Sequence, residues 1–170
     1  VLTTLPKINT KDLRRYYDSK NYHSHKSSKS LLSILYDVSS RFMVWRKVKL
    51  ISRFLKNKRS ILDFGCGRGG FLLSAKKAGF EVCGVESITT TYNQLEVKNI
   101  KVYNKLESLS SPVNAITFWH SLEHINDVNQ TLMLCRKLLK DKGILIVAVP
   151  NHDSFDAKHS KIFWAAYDVP

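Results

Sequence analysis

Residues 61–72 read ILDFGCGRGGFL, so that a short apolar run leads directly into a group of four glycines. The apolar run fits a buried strand, and the glycines allow a tight turn and the close approach of a ligand to the backbone. The apolar residues that follow predict a helix whose first N–H groups face the turn. This stretch therefore predicts the strand, loop and helix that begin an α/β sheet.

Apolar runs alternate with helix-period segments through the rest of the chain. The runs are EVCGVE (81–86), IKVY (100–103), NAITFW (114–119) and GILIVAV (143–149). This alternation predicts βαβ units and a mostly parallel, Rossmann-like sheet of the α/β class. Gly79 and Gly143 are placed to end helices, and Asp127 is placed to cap one.

A carboxylate, Glu86, ends the second apolar run. A carboxylate at this position can accept hydrogen bonds from both hydroxyls of a ribose. Gly65, Gly67 and Gly70 also fit the dinucleotide pattern G-x-G-x-x-G, so these features alone leave NAD open as the ligand. Asp63 weighs against NAD, because a carboxylate there would repel a pyrophosphate and attract a cationic amino-acid moiety with a sulfonium.

Four segments together resemble one family. ILDFGCGRGGFL is similar to the first motif of class I S-adenosylmethionine-dependent methyltransferases, and GVE at 84–86 is similar to their ribose-binding acid. FWHSLEHINDV (118–128) and LLKDKGILIVAVPN (138–151) resemble segments of the subgroup related to ubiquinone-biosynthesis O-methyltransferases. The resemblance implies a domain that binds S-adenosylmethionine and releases S-adenosylhomocysteine.

The resemblance also implies a donor site at the carboxyl ends of the strands. The backbone at Gly65 and Gly67 would contact the methionine part of the donor, and Asp63 would act on its ammonium. Glu86 would hold the ribose, and Asn104 would replace the acid that often holds the adenine amine in this family. The expected donor-binding residues are Asp63, Gly65, Cys66, Gly67, Gly69, Glu86, Ser87, Ile88, Asn104, Trp119 and His120.

Two histidines after the fourth strand, His120 and His124, are the candidates for catalysis. If the acceptor is a hydroxyl, a histidine can serve as the general base near neutral pH. His120, Glu123 and His124 also stand where the related O-methyltransferases can carry metal ligands. We favour the alternative that Glu123 and His124 support the following helix, and we assign no metal ligand.

Positive charge is concentrated in the N-terminal part of the chain. Residues 1–60 hold 15 Lys and Arg against 3 Asp and Glu, whereas residues 61–170 hold 12 against 11. Helices are expected near residues 10–19 and over about 30–56, the second amphipathic. We therefore expect a basic helical lid over 1–59 and the donor-binding domain over 60–170. The charge could attract nucleic acid or an anionic membrane, although a solvated lid face is favoured.

The family fold continues beyond the fifth strand with a helix and two more strands, for which the residues after Val149 leave no room. We therefore expect a C-terminally truncated sheet of five strands in the order 3-2-1-4-5. Its apolar edge strand would promote self-association. Three scattered cysteines and the lack of an apolar run of membrane-spanning length favour a cytoplasmic protein.

The favoured function is methyl transfer from S-adenosylmethionine to a small-molecule acceptor. The alternatives are a nucleic-acid methyltransferase, suggested by the basic segment, and an NAD-dependent oxidoreductase, suggested by the glycine pattern. Residues 119–124 read WHSLEH and not an Asn/Asp-Pro-Pro-Tyr motif, which weighs against methylation of base amines.

Overall fold

A computed structural model describes residues 31–56, 59–87, 95 and 98–164 of the 170-residue chain. These residues belong to two compact units, one spanning Asp37–Val149 and the other including residues 31–36 and 150–164. The helix expected near residues 10–19, most of the segment between β2 and β3, and Ile88 lie outside the described residues.

The described elements follow the alternation of strands and helices that the sequence predicts. In chain order they are α1 (Leu31–Phe54), β1 (Ser60–Phe64), α2 (Gly70–Lys77), β2 (Glu81–Val85), β3 (Lys101–Tyr103), β4 (Val113–Trp119), α3 (Val128–Leu138), β5 (Leu139–Ala148) and α4 (Phe155–Ser160). Asp127 caps α3 as predicted, because its carboxylate accepts the backbone N–H of Gln130 at 2.9 Å.

The five strands form one parallel sheet in the order β3-β2-β1-β4-β5, which confirms the predicted order. The strand β1 is central, and its last residue, Phe64, pairs with Val85 of β2 and Phe118 of β4. The loops that follow these three strands therefore begin at the same edge of the sheet. In open parallel sheets, this carboxyl edge next to the central strand is where ligands bind.

Apolar side chains cover both faces of the sheet, as expected for parallel strands. Ile61 and Leu62 are adjacent in β1 and lie in separate buried clusters, because successive strand residues point to opposite faces. The cluster around Ile61 includes Val48, Ile51 and Leu55, so the inner face of α1 belongs to the same core as the sheet. The boundary between a lid and a donor domain at residues 59 and 60 stays a prediction.

The prediction that Gly143 ends a helix is wrong. The helix α3 ends at Leu138, and the chain enters β5 directly at Leu139. The register between β4 and β5 then shifts, so that Leu139 pairs with Val113 and Ile144 with Ala115. Lys142, with φ of 56°, lies in the intervening stretch, so Gly143 belongs to an irregular part of β5.

The strand β5 forms one edge of the sheet. Leu145 and Val147 of its apolar run are 39% and 41% exposed. Self-association through this edge stays a prediction.

None of the described helices combines the length and the apolarity that a bilayer crossing requires. In the other unit, Ser154 caps α4 by accepting the N–H of Ala157 at 3.2 Å.

Candidate functional site

The loop after β1 is a bend of three glycines in the left-handed region of backbone space. Gly65, Gly67 and Gly69 have φ values of 69°, 49° and 69°. A side chain at position 65 would place its Cβ atom 2.6 Å from the Cβ atom of Ser121. The residue must therefore be glycine for both its dihedral angle and its neighbour. The backbone N–H groups of Gly65 and Cys66 both donate to the carbonyl of Val85, at 2.8 and 3.1 Å.

Glu86 lies directly beside this bend. Its carboxylate oxygen Oε2 accepts a hydrogen bond from the backbone N–H of Gly67 at 2.9 Å. Its own backbone N–H donates to the carbonyl of Tyr103 at 2.9 Å, which ties it to β3. The two sequence features that point to a nucleoside are therefore in contact, because β2 pairs with β1 and the two loops start side by side.

A cleft of about 370 Å³ opens at this contact. Four of the expected donor-binding residues, Gly65, Glu86, Ser87 and Asn104, line it together. Apolar lining comes from Phe64, Val85, Leu106 and Leu134. The remaining described candidates, which are Asp63, Cys66, Gly67, Gly69, Trp119 and His120, are not among the residues that line this cleft.

Asp63 is almost fully buried, with 3% of its surface exposed. Its carboxylate accepts the hydroxyl of Thr117, the residue opposite it in β4, at 2.7 Å. Burial raises the pKa of Asp63 to about 7, while the Thr117 hydroxyl and the charge of Lys47 partly lower it. Asp63 is thus an interior carboxyl whose pKa lies near neutral pH, and its action on the ammonium of the donor stays a prediction.

Lys47, a residue of α1, lies near the Trp119 ring, and its charge acts on Asp63. Its Nζ atom lies 4.7 Å from the centroid of the Trp119 ring, a distance at which a cation is attracted to the ring face. Burial lowers the pKa of Lys47, and the charge of Asp63 partly offsets this effect. No local pattern singles out Lys47, since it is one of five basic residues in α1.

Trp119 is half-buried at the end of β4. The ring of Phe71 packs edge-on against it at 5.7 Å between centroids, and Trp119 borders the core cluster around Ile61. Its indole Nε1 atom is buried and has no hydrogen-bond partner among the described residues. Buried N–H groups normally have a partner, so this one is a candidate donor to a bound molecule.

The segment after β4 turns sharply at His120, whose φ is 58°. Its imidazole is 62% exposed, and Nδ1 lies 3.8 Å from Oε1 of Glu123. His124 is also exposed, in the short turn Leu122–His124. Within the part of the chain that the structure describes, no three His, Cys, Asp or Glu side chains are grouped as a metal site would require.

Ser121 was missed by the sequence analysis. Its buried side-chain hydroxyl donates to the carbonyl of Phe64 at 2.7 Å and so joins the turn after β4 to the end of β1. Because these residues are far apart in the sequence, only the register of β1 against β4 brings them together.

The sheet order, the glycine bend and the adjoining strand-end carboxylate define the class of this protein: a class I methyltransferase domain with S-adenosylmethionine as its cofactor. Residues 39–170 match the family model described as "Methyltransferase domain", and the chain belongs to this family.

Individual relatives agree with this assignment. The chain is 27% identical over 109 residues to an ubiquinone biosynthesis O-methyltransferase of Actinobacillus pleuropneumoniae serotype 7 (strain AP76), covering 55% of this chain and 46% of that protein. The solved structure of a SAM-dependent methyltransferase from Archaeoglobus fulgidus is similar with a TM-score of 0.61 and 25% identity, over 76% of this chain and 62% of that one.

A solved structure with lower sequence identity has a similar fold. Magnesium protoporphyrin IX methyltransferase from Synechocystis PCC 6803 is similar with a TM-score of 0.70 at 13% identity, over 95% of this chain and 81% of that one. The chain spans about half the length of the curated relatives it matches.

Proposed function

We propose that this protein transfers the methyl group of S-adenosylmethionine to a small-molecule acceptor and that the donor binds where Glu86 meets the glycine bend. The observation that carries the proposal is the 2.9 Å hydrogen bond between Glu86 and Gly67 at the edge of a cleft. A relative named for ubiquinone biosynthesis supports a small molecule as the acceptor.

The residues around the cleft fit the nucleoside of the donor. A carboxylate has two oxygens with several acceptor positions, so Glu86 can keep the N–H of Gly67 and still accept ribose hydroxyls. Ser87 and Asn104 line the same cleft, and the Asn104 amide can both accept from and donate to the adenine. Ile88 is proposed beside the adenine from its position in the sequence alone.

The methionine part of the donor is proposed to lie along the bend, against the backbone of Gly65, Cys66, Gly67 and Gly69. Asp63 is proposed to act through the charge of its ionised form, which is populated above its pKa of about 7, because Thr117 already holds its buried carboxyl group. An ionised Asp63 next to Glu86 makes this side of the site favourable for a cation. The unpartnered Nε1 of Trp119 adds a hydrogen-bond donor.

The chemistry needs alignment and the exclusion of water more than it needs functional groups. When bound, S-adenosylmethionine supplies a methyl group on a sulfonium; the chain must hold the acceptor atom in line with it. His120 is proposed to take the proton of an acceptor hydroxyl at Nε2. Glu123 lies 3.8 Å from Nδ1 of His120, where its charge stabilises the imidazolium that forms. His124 is the second candidate base.

The test measures formation of S-adenosylhomocysteine with a panel of small hydroxyl and amine acceptors, for the wild type and for His120→Gln and His124→Gln. His159→Gln is the matched control, because His159 is an exposed histidine on α4. The proposal expects turnover with at least one acceptor, lowered by about 10²–10⁴-fold when the base is removed. Donor binding without turnover on any acceptor would contradict it.

A cytoplasmic location and self-association complete the proposal. All three cysteines, Cys66, Cys83 and Cys135, are free thiols, which fits a reducing compartment.

The exposed apolar edge of β5 is the surface through which copies would associate. Light scattering over a range of protein concentrations tests this, with Val147→Lys as the variant that should give monomers.

A further inference from the structure

The outward face of α1 carries a continuous stripe that the donor site does not use. We call it the outer stripe, and it consists of Val38, Phe42, Trp45, Arg46, Lys49, Arg53 and Lys56. With 3.6 residues per turn, the stripe residues from Val38 to Arg53 share one side of α1. Lys56 follows two residues after the helix ends at Phe54. The opposite side holds Val48, Ile51 and Leu55, which are buried in the core.

The first half of the outer stripe is apolar and exposed. Val38, Phe42 and Trp45 are 60%, 54% and 51% exposed. The rings of Phe42 and Trp45 stack with their centroids 5.8 Å apart, and Nζ of Lys49 lies 4.7 Å from the centroid of Trp45. A contiguous apolar surface of this kind, bordered by charged groups, is typical of an interaction site.

The second half of the outer stripe is basic. Arg46, Lys49, Arg53 and Lys56 are exposed along it. From residue 37 to residue 56 the only acidic residue is Asp37, and the whole of residues 1–60 has a large excess of Lys and Arg. The complementary surface is therefore anionic.

We propose that the outer stripe docks this domain on an anionic membrane surface. Phe42 and Trp45 would lie at the boundary of headgroups and acyl chains, and Arg46, Lys49 and Arg53 would contact lipid phosphates. Exposed aromatic and apolar side chains suit the acyl boundary, and the basic residues that follow them on the same side of α1 suit anionic lipid. A nucleic acid would satisfy the same charges but would leave Val38 and the neighbouring exposed Met43 without an apolar partner.

The experiment is cosedimentation of the full chain with vesicles, because it needs no knowledge of the acceptor. Vesicles of phosphatidylcholine alone are compared with vesicles in which about one third of the lipid is phosphatidylglycerol, which supplies the surface charge. The charge variant is Arg46→Glu/Lys49→Glu/Arg53→Glu. Its matched control, Lys77→Glu/Lys98→Glu/Lys137→Glu, has the same change of net charge at exposed positions outside α1.

The wild type is expected to bind the anionic vesicles and to release at high salt. The charge variant should lose at least about tenfold in binding, while the control should change much less, since attraction to the surface acts over about a Debye length. Circular dichroism verifies that each variant is folded. The Trp45→Phe variant retains an aromatic ring and should still bind the vesicles. It should lose the blue shift of tryptophan emission that vesicles cause, because that shift is expected to come from Trp45.

Four results would overturn the proposal. The first is that the wild type binds both kinds of vesicle equally, or binds neither kind. The control would lose as much binding as the charge variant. The wild type would bind a duplex oligonucleotide through the outer stripe and would not bind anionic vesicles. Finally, the charge variant would convert a dimer into a monomer with no effect on vesicles, which would make the stripe a contact between copies.

Discussion

The carboxylate of Glu86 accepts the backbone N–H of Gly67 at 2.9 Å, which joins the end of β2 to the loop after β1. This contact joins the two sequence features that point to a nucleoside, and the cleft begins at the same place. A carboxylate held by its own neighbour is pre-positioned, so less ordering is needed when a sugar binds.

Glu86→Ala should weaken binding of S-adenosylhomocysteine by about 1–3 kcal/mol, because the ribose hydroxyls lose their acceptor. Glu81→Ala is the control, since Glu81 is an exposed residue at the opposite end of β2. Calorimetric titration measures both. Equal affinities for Glu86→Ala and the wild type would remove Glu86 from the donor site.

The buried carboxyl of Asp63 should make stability depend on pH. Its pKa is about 7 in the folded chain, against an ordinary 3.8 when exposed. Between these values the folded chain binds a proton that the unfolded chain does not. The contribution of Asp63 is therefore complete at pH below 3.8 and is lost as the pH rises to about 7.

The measurement for this prediction is urea denaturation at several pH values for the wild type and for Asp63→Asn. The difference in the free energy of unfolding between wild type and variant should fall from about pH 4 to about 7 and be level above. A difference that is constant with pH, or that rises across this window, would contradict the raised pKa.

Lys47→Met should move this pH transition upward, because the positive charge of Lys47 lowers the pKa of Asp63. Lys49→Met is the control on the same helix, since Lys49 lies over Trp45 on the outward face. The two variants are compared through the same denaturation series. A transition that stays in place with Lys47→Met would mean that Lys47 does not act on Asp63.

Gly65→Ala should destabilise the fold more than Gly67→Ala. Both glycines have positive φ, which costs a residue with a side chain about 1–2 kcal/mol. Only at Gly65 would the added Cβ atom also meet Ser121, at 2.6 Å, whereas nothing lies within 4 Å at Gly67. Thermal or urea unfolding gives the order, and equal losses would show that the bend relaxes around residue 65.

The sheet could be predicted from the sequence because each strand and each turn has a local signal. The glycines after β1 and the cap at Asp127 depend on residues that are neighbours in the chain, and both are as predicted. Gly143 shows the limit of this reasoning. A glycine before an apolar run is typical of a helix end. Here the residues before Gly143 belong to β5, because Leu139 already pairs with Val113 of β4.

The contacts around the site could be predicted only in part. Glu86 and the glycines have recognisable positions, whereas Thr117, Ser121 and Lys47 have no local signal. Thr117 meets Asp63 only because the register of β4 against β1 places them opposite each other. The raised pKa of Asp63 follows from its burial, which no spacing of residues reveals.

Titration of the wild-type protein with S-adenosylhomocysteine and, separately, with NAD tests the donor site most directly. A site built on Glu86 and the glycine bend predicts saturable binding of S-adenosylhomocysteine with one molecule per chain and no measurable heat from NAD. Binding of NAD in place of S-adenosylhomocysteine, or binding of neither by a folded chain, would contradict it.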